Sequence, residues 1–408
     1  MLLCSLDDVR PGMIVGAVVL HPCRPDLELL SAGARLDAAI ISRLRAMGLT
    51  DIWIHHDALA DLDAVIAPRL SELGREVYSC IKRDFASLAT QTISTAQILD
   101  YRQTMMRLVF ELVGNRKIAG LTGLIFNADD ALFAHSSNVA YLAALTGLEL
   151  EAYLVAERRQ LAVQHARDVA TLGMGAMLHD LGKAIRGPQE RTRHEVVAGR
   201  PAPPPDQLPP AYRQHTLEGY RLLADCRPPA SARQVVLNHH QRFDGRGWPD
   251  GAEVRPDRKP QVLSGRGIHI FCRIVAAANA LDNLLRDEAG RRRPAVAALY
   301  DLAGPRYDGW FDPLVRQAML RRIPPYQIGS RVVLSDGRVG AVVAPGMVQP
   351  CRPWVRLLAE SSRRDDGQYE TIALEKQPTL RIAECAGVDV RRWYFELPAP
   401  KSKARAAP

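Results

Sequence analysis

Cysteine pairs at metal-binding spacing, long apolar runs and extended blocks of like charge are all missing from this chain. The seven cysteines (Cys4, Cys23, Cys80, Cys226, Cys272, Cys351, Cys385) are scattered, odd in number and contain no Cys-x-x-Cys. That excludes a zinc knuckle and a disulfide scaffold, and favours free thiols in a reducing cytoplasm. The opening "MLLCSLDDVR" has no charged leader and reaches Asp7 too soon for a signal peptide. Apolar stretches are broken by Glu111, Arg116 and Lys117, or by His269, Arg273 and Asn279, so no membrane span is expected. The formal charge is +8, yet its basic residues are spread out except for Arg291 to Arg293 and the tail Lys401, Lys403 and Arg405. Such a spread excludes a DNA-binding face and leaves a mild preference for small anionic ligands.

What remains is an ordinary soluble composition, 47% hydrophobic and 24% charged over 408 residues, enough for about two or three domains. Residues 1–56 read as a small α+β unit: "MIVGAVVLH" as a strand, "AAIISRLRAMGL" as an amphipathic helix closed by Gly48, "DIWIHH" as a strand. Residues 57–118 carry helical spacing and read as a connector. Residues 119–324 form a longer helical region, interrupted by "GRPAPPPDQLPP", whose prolines require a surface loop. After "IPPYQIG" the period changes, and "RVVLSDGRVGAVVAPG" reads as a hairpin about Asp336-Gly337. A small β-type domain over 325–398 follows, then a basic disordered tail, 399–408. The fold class expected is mainly α, an all-helical core with an N-terminal α+β unit and a C-terminal β-type domain.

Five histidines of the helical region lie with apolar neighbours. His135 precedes Val139 and Leu142 at i+4 and i+7, His215 precedes Gly219 and Leu222 in the same way, and His239 follows Val235 and Val236. In "GAMLHDLGK", His179 and Asp180 fall in the last turn of an apolar helix that Gly182 would terminate. His240 follows His239 directly and leads into "QRFDGRGWPDG". One histidine on an apolar face is usually a core side chain with a hydrogen-bond partner. Five of them with a carboxylate are costly to bury unless a metal pairs with them. His21, His55, His56, His165, His194 and His269 join no comparable group and read as ordinary.

In order, a single His, then "HD" with Lys183 three residues after Asp180, then His215, then "HH" leading into "DGRGWP", then "AANALD" resembles the HD-GYP family, a branch of the HD-domain metal-dependent phosphohydrolases. The resemblance covers roughly residues 120–324. It implies an all-α core that hydrolyses cyclic di-GMP to pGpG or GMP by a metal-activated hydroxide. It also implies two divalent first-row transition metals, iron or manganese ahead of zinc. Carried over residue by residue, His135, His179, Asp180 and Asn279 would hold one ion. Asp180 would bridge to a second held by His215, His239 and His240. Lys183 would hold a phosphate oxygen and, with Asp180, serve catalysis. Asp244, Gly245, Gly247, Trp248 and Pro249 would line the substrate, the glycines permitting close backbone approach, and Arg293 is the nearest match to a phosphate-contacting arginine.

Departures from the pattern are specific. Asn279 stands where the family has an aspartate, Ala131 where three-metal members have a glutamate, Gln241 where a glutamate follows the paired histidines, and Trp248 where the family has tyrosine. The segment after Lys183 is a proline-rich insertion. An alternative is therefore a degenerate, non-catalytic module that binds cyclic di-GMP or a signalling protein, such as a diguanylate cyclase, through the Gly247–Pro249 loop. A cytoplasmic protein, with a homodimer open and no DNA or membrane partner, completes the expectation.

Overall fold

Strands at the two ends of the chain meet beside a helical centre. The computed structural model describes all residues except 22–23, 25–26, 64–67, 86–92, 115–130, 187–193, 201–202, 255–261, 290, 364, 366 and 399–408. The basic tail therefore lies outside the described residues, as does part of each proline-rich stretch.

At the N-terminus β1 (Leu2–Ser5) pairs antiparallel with β4 (Asp51–Ile54), and the short β2 (Val19–Leu20) pairs with β3 (Glu28–Leu30). The strand expected across Met13–His21 is thus reduced to Val19 and Leu20. Ile14 and Val15 make only isolated bridges to Arg35 and Ile54, and at Gly16 a Cβ would fall 3.0 Å from the Ile54 carbonyl carbon. Between β3 and β4 runs α1 (Ala38–Ala46), its first turn capped by Asp37 and its end closed by Gly48 at φ +82°.

Helices α2 (Pro68–Phe85) and α3 (Thr95–Gly114) pack on each other, α2 also on α4 (Ala131–Glu149) and α3 on both α4 and α6 (Val169–Leu178). The connector is part of the core. Around α4, buried on every side from Leu132 to Leu148, stand α5 (Glu151–Glu157), α6, α7 (Pro210–Leu222), α8 (Ala230–Asn238), α9 (Ile270–Leu284), α10 (Ala295–Ala303) and α11 (Pro313–Arg322). The fold is mainly α. Among the described residues no single helix is long and apolar enough to cross a membrane.

The buried Arg273 fixes the position of α9. Its guanidinium donates to Tyr153 Oη at 2.9 Å and pairs with Glu157 and Asp312, tying α9 to α5 and to the N-terminal cap of α11.

The C-terminal region is a six-stranded antiparallel sheet of β5 (Arg331–Leu334), β6 (Val339–Ala344), β7 (Trp354–Leu357), β8 (Thr371–Ala373), β9 (Ile382–Cys385) and β10 (Val388–Asp389), in the order β10-β9-β5-β6-β7-β8. Gly337 at φ +87° makes the β5–β6 turn at the expected dipeptide. The N-terminal unit joins this sheet: Leu3 N donates to Gly329 O at 2.7 Å, and Arg356 pairs with Asp61 at 2.6 Å. One apolar cluster runs from Leu2 to Leu397.

Candidate metal centre

The site grows from four helices and one tight turn. His135 projects from the interior of α4, His215 from the interior of α7, His239 caps α8 and His240 follows it. Helix α6 ends at Leu178, one residue before His179, and a short helical turn (Leu181–Ala184) begins after Asp180. Gly182 therefore does not terminate the helix, contrary to the sequence reading. It lets the turn press on α7: a Cβ there would sit 2.0 Å from His215 O. Any larger residue would push Asp180 and Lys183 away from His215.

Asp180 is fully buried, with one oxygen toward each group of histidines. Oδ2 lies 3.4 Å from His179 Nε2 and 3.7 Å from His135 Nε2; Oδ1 lies 3.2 Å from His215 Nε2 and 3.6 Å from His239 Nε2. His240 joins the second group, whose ligand atoms with Asp180 fall within 4.8 Å of one another, as do those of His135, His179 and Asp180.

The five rings share one orientation logic. Each Nδ1 meets a carbonyl or carboxyl oxygen: Asp282 Oδ2 for His135 (2.7 Å), Ala176 O for His179 (2.7 Å), Tyr212 O for His215 (2.5 Å), Val235 O and Val236 O for His239 (3.2 Å each) and Glu195 Oε2 for His240 (2.9 Å). The proton therefore sits on Nδ1, and Nε2 presents a lone pair. Two pairs of such atoms face each other, His135 with His179 at 3.3 Å and His215 with His239 at 3.4 Å. Facing lone pairs repel unless a cation lies between them. His240 Nε2 is buried without a hydrogen-bond partner, and each Asp180 oxygen faces two of these ring nitrogens. A donor set of imidazole nitrogens around a bridging carboxylate fits divalent transition metals.

Electrostatics agree. Burial opposes charge on Asp180, but the Lys183 ammonium, 2.8 Å from Oδ2, and His179 hold its carboxyl well below the usual range. Burial holds His135, His215 and His240 below the ordinary histidine range and His239 down at about 3, so these rings stay neutral and available as ligands. Lys183 is 2% exposed and its ammonium lies over the Tyr212 ring; it is not a solvated helix-end cation.

The loop after His240 folds back beside it. Trp248 is 1% exposed and stacks on His240, with ring centroids 4.0 Å apart and planes 14° from parallel. A Cβ at Gly247 would lie 2.4 Å from His240 O, so only glycine lets the loop close on the histidine. Gly245 takes φ +78°, Pro249 O accepts from Gln241 Nε2, and Asp244 pairs with Arg242 and caps Arg246 N. Gly247, Trp248 and Pro249 are buried, which leaves Asp244 and Arg246 as the exposed residues of this loop. Arg293 is engaged elsewhere, donating to Leu284 O at 2.7 Å and pairing with Asp301 at 2.8 Å. Asn279 lines a small cavity with Glu195, His239 and His240, and its side-chain oxygen accepts from Asn283.

Two residues escaped the sequence reading. His194 stands 5.0 Å, centroid to centroid, from His135 with a buried Nδ1, and so belongs beside the group it was kept apart from. Glu195 carries His240, and burial raises its carboxyl to about 7 despite the opposing charge of Arg242. Both follow the insertion outside any helix, so no periodicity marked them.

Residues 132–284, which span every residue of the centre from His135 to Asp282, match the HD domain family. Over 195 residues the chain is 30% identical to the cyclic di-GMP phosphodiesterase PA4108 of Pseudomonas aeruginosa, covering 47% of this chain and 42% of that protein. The chain carries an HD domain. A second relative, the cyclic di-GMP phosphodiesterase response regulator RpfG of Xanthomonas campestris, is 33% identical over 174 residues, 41% of this chain and 39% of that one. Less than half the length of either curated relative is thus spanned. The solved HDG"Y"P protein Bd1817 of Bdellovibrio bacteriovorus aligns over 78% of this chain and 97% of its own, at 15% identity and a TM-score of 0.43.

Proposed function

We propose that this protein is an HD-GYP phosphodiesterase that hydrolyses cyclic di-GMP to pGpG or GMP at a centre of two divalent ions, iron or manganese. The observation that carries the reading is the buried Asp180 carboxylate, one oxygen toward His135 and His179 and the other toward His215 and His239. His135 and His179, with Asn279 alongside, would hold one ion, and His215, His239 and His240 the other. Such a pair supplies Lewis acidity, generating a nucleophile from water near neutral pH and neutralising charge on phosphorus.

The chain's own groups do the remainder. The main-chain carbonyls and the two carboxylates on Nδ1 keep every ring in its ligating tautomer. Lys183, anchored on Asp180, brings a fixed positive charge to the phosphodiester. The described cysteines are free thiols, in keeping with a reducing cytoplasm. A signalling partner docking on the loop would meet Asp244 and Arg246.

Turnover of cyclic di-GMP by the full chain, loaded with Fe²⁺ or Mn²⁺ under reducing conditions, tests the proposal. The wild type is expected to release pGpG or GMP, and Asp180→Ala to lose both ions and at least about 100-fold in rate. A wild type that binds two ions and the nucleotide yet releases no product would overturn the enzyme reading in favour of a binding module.

A further inference from the structure

Three of the five rings, those of His179, His215 and His239, rest their Nδ1 protons on neutral main-chain carbonyls. Only two rest on carboxylates. Asp282 serves His135 and stands on α9, one helical turn after Asn279. Glu195 serves His240 and stands in a non-helical segment next to His194, whose ring faces His135. Each group of histidines thus contains one ring carried by a negative charge.

We infer that Glu195 is the positioning residue of the His240 half of the centre, and that it strengthens the hold of His240 on the second ion. The inference rests on the reading of His240 as a metal ligand. Two contacts fix the His240 ring. Trp248 stacks on its face at 4.0 Å, which sets the plane, and Glu195 Oε2 bonds Nδ1 in that plane at 2.9 Å, which sets the rotation within it. Together they leave Nε2 one direction, and that atom is buried with no hydrogen-bond partner. A carboxylate on Nδ1 also makes Nε2 a stronger donor than a carbonyl does. Glu195 is itself 6% exposed and engages both His240 and Trp248, the ring that stacks on His240, so holding that pair accounts for a carboxylate at that depth. Asn279 lines the same small cavity as Glu195 and His240, without adding charge.

Two variants of the full chain separate shape from charge. Glu195→Gln keeps the outline and an acceptor but removes the charge, whereas Glu195→Leu removes both. With Mn²⁺ as the probe, metal retention is followed by chelator competition and the coupled two-ion spin-resonance signal. One ion should be held about 10–100-fold more weakly in Glu195→Leu and by an intermediate factor in Glu195→Gln. The other ion and the helical circular dichroism should be unchanged, a selectivity that a merely structural role would not give. If Glu195→Leu does not fold, Glu195→Gln decides alone. Variants that keep both ions at wild-type strength, or loosen both equally, overturn the inference. A wild type that holds no Mn²⁺ overturns the metal reading on which it rests, and so the two failures are distinguishable.

Discussion

His135 and the carboxylate that carries it both stand inside long helices, α4 and α9, that pack along each other. His240 and its carboxylate both stand outside helices, one just beyond the end of α8 and the other in the segment before α7. The first half of the centre is therefore held by the main packing of the core, with Arg273 locking α9 in place. In the second, His215 and His239 are set by α7 and the end of α8, whereas His240 is held by a loop stacked through Trp248 and by one buried glutamate. Identical ligand chemistry is reached in one half by rigid elements and in the other partly by contacts a few residues long. Substitutions in the second half should cost metal without costing the fold, and the converse should hold for the first.

The strongest way to break that contrast is Asp282→Asn. It should weaken the ion on the His135 side about 10–100-fold, the mirror of the Glu195 variants, and also lower thermal stability because Asp282 is 1% exposed in the core. Chelator competition and a melting curve on one sample check both. Loss of the ion with an unchanged melt would show that the first half is no more tied to the core than the second.

Asn279→Asp sharpens the contrast with a smaller effect. A carboxylate adds Coulomb attraction at a position beside His239, His240 and Glu195, so metal retention should rise about tenfold and hydrolysis of cyclic di-GMP should rise with it. More metal without more hydrolysis would place the limitation in the stretch after Lys183. No change in either would mean that Asn279 does not reach the ions.

Acid gives the smallest effect per group. In metal-free protein burial lowers His239 to about 3 and, with help from Arg158 and Arg273, His269 to about 4. An unfolded histidine takes up its proton near pH ~6.5, so below that value the unfolded state binds more protons. Stability is fully present above about pH 6.5 and is lost as pH falls toward the folded values. Between about pH 7.5 and 5.5 the loss should be roughly 1 kcal/mol for His239, measurable as a shift in urea midpoint. A midpoint that does not move would show that these rings are not held neutral.

Legibility in the sequence follows the same division. His135, His179, His215 and His239 sit on or against helices whose apolar spacing marks the buried face, and Asp282 lies one turn from Asn279 on such a helix. Their alignment was readable because a helix has a fixed period. His194 and Glu195 have no period to reveal them, and their role depends on a chain path after the insertion that local spacing does not encode. Strand β1 escaped for a related reason: Leu2, Leu3 and Cys4 are all buried, so no alternation shows, and the partners β4 and Gly329 are about 50 and 330 residues away. Gly182 was read as a helix stop because the sequence shows a glycine after an apolar helix, but not the backbone of α7 pressed against it.

That bond from Leu3 to Gly329 makes a ring of the chain. The small unit at one end and the sheet at the other close against each other around the segment that carries the centre, and Arg356 and Asp61 add a second tie. A cut at residue 56 or at residue 325, where composition changes, would pass through a packed joint and leave Leu3 N and Gly329 O without each other. Whatever displaces one end pulls on the other, so the two terminal units are a single clasp, and the natural piece to express, crystallise or fuse is the closed ring.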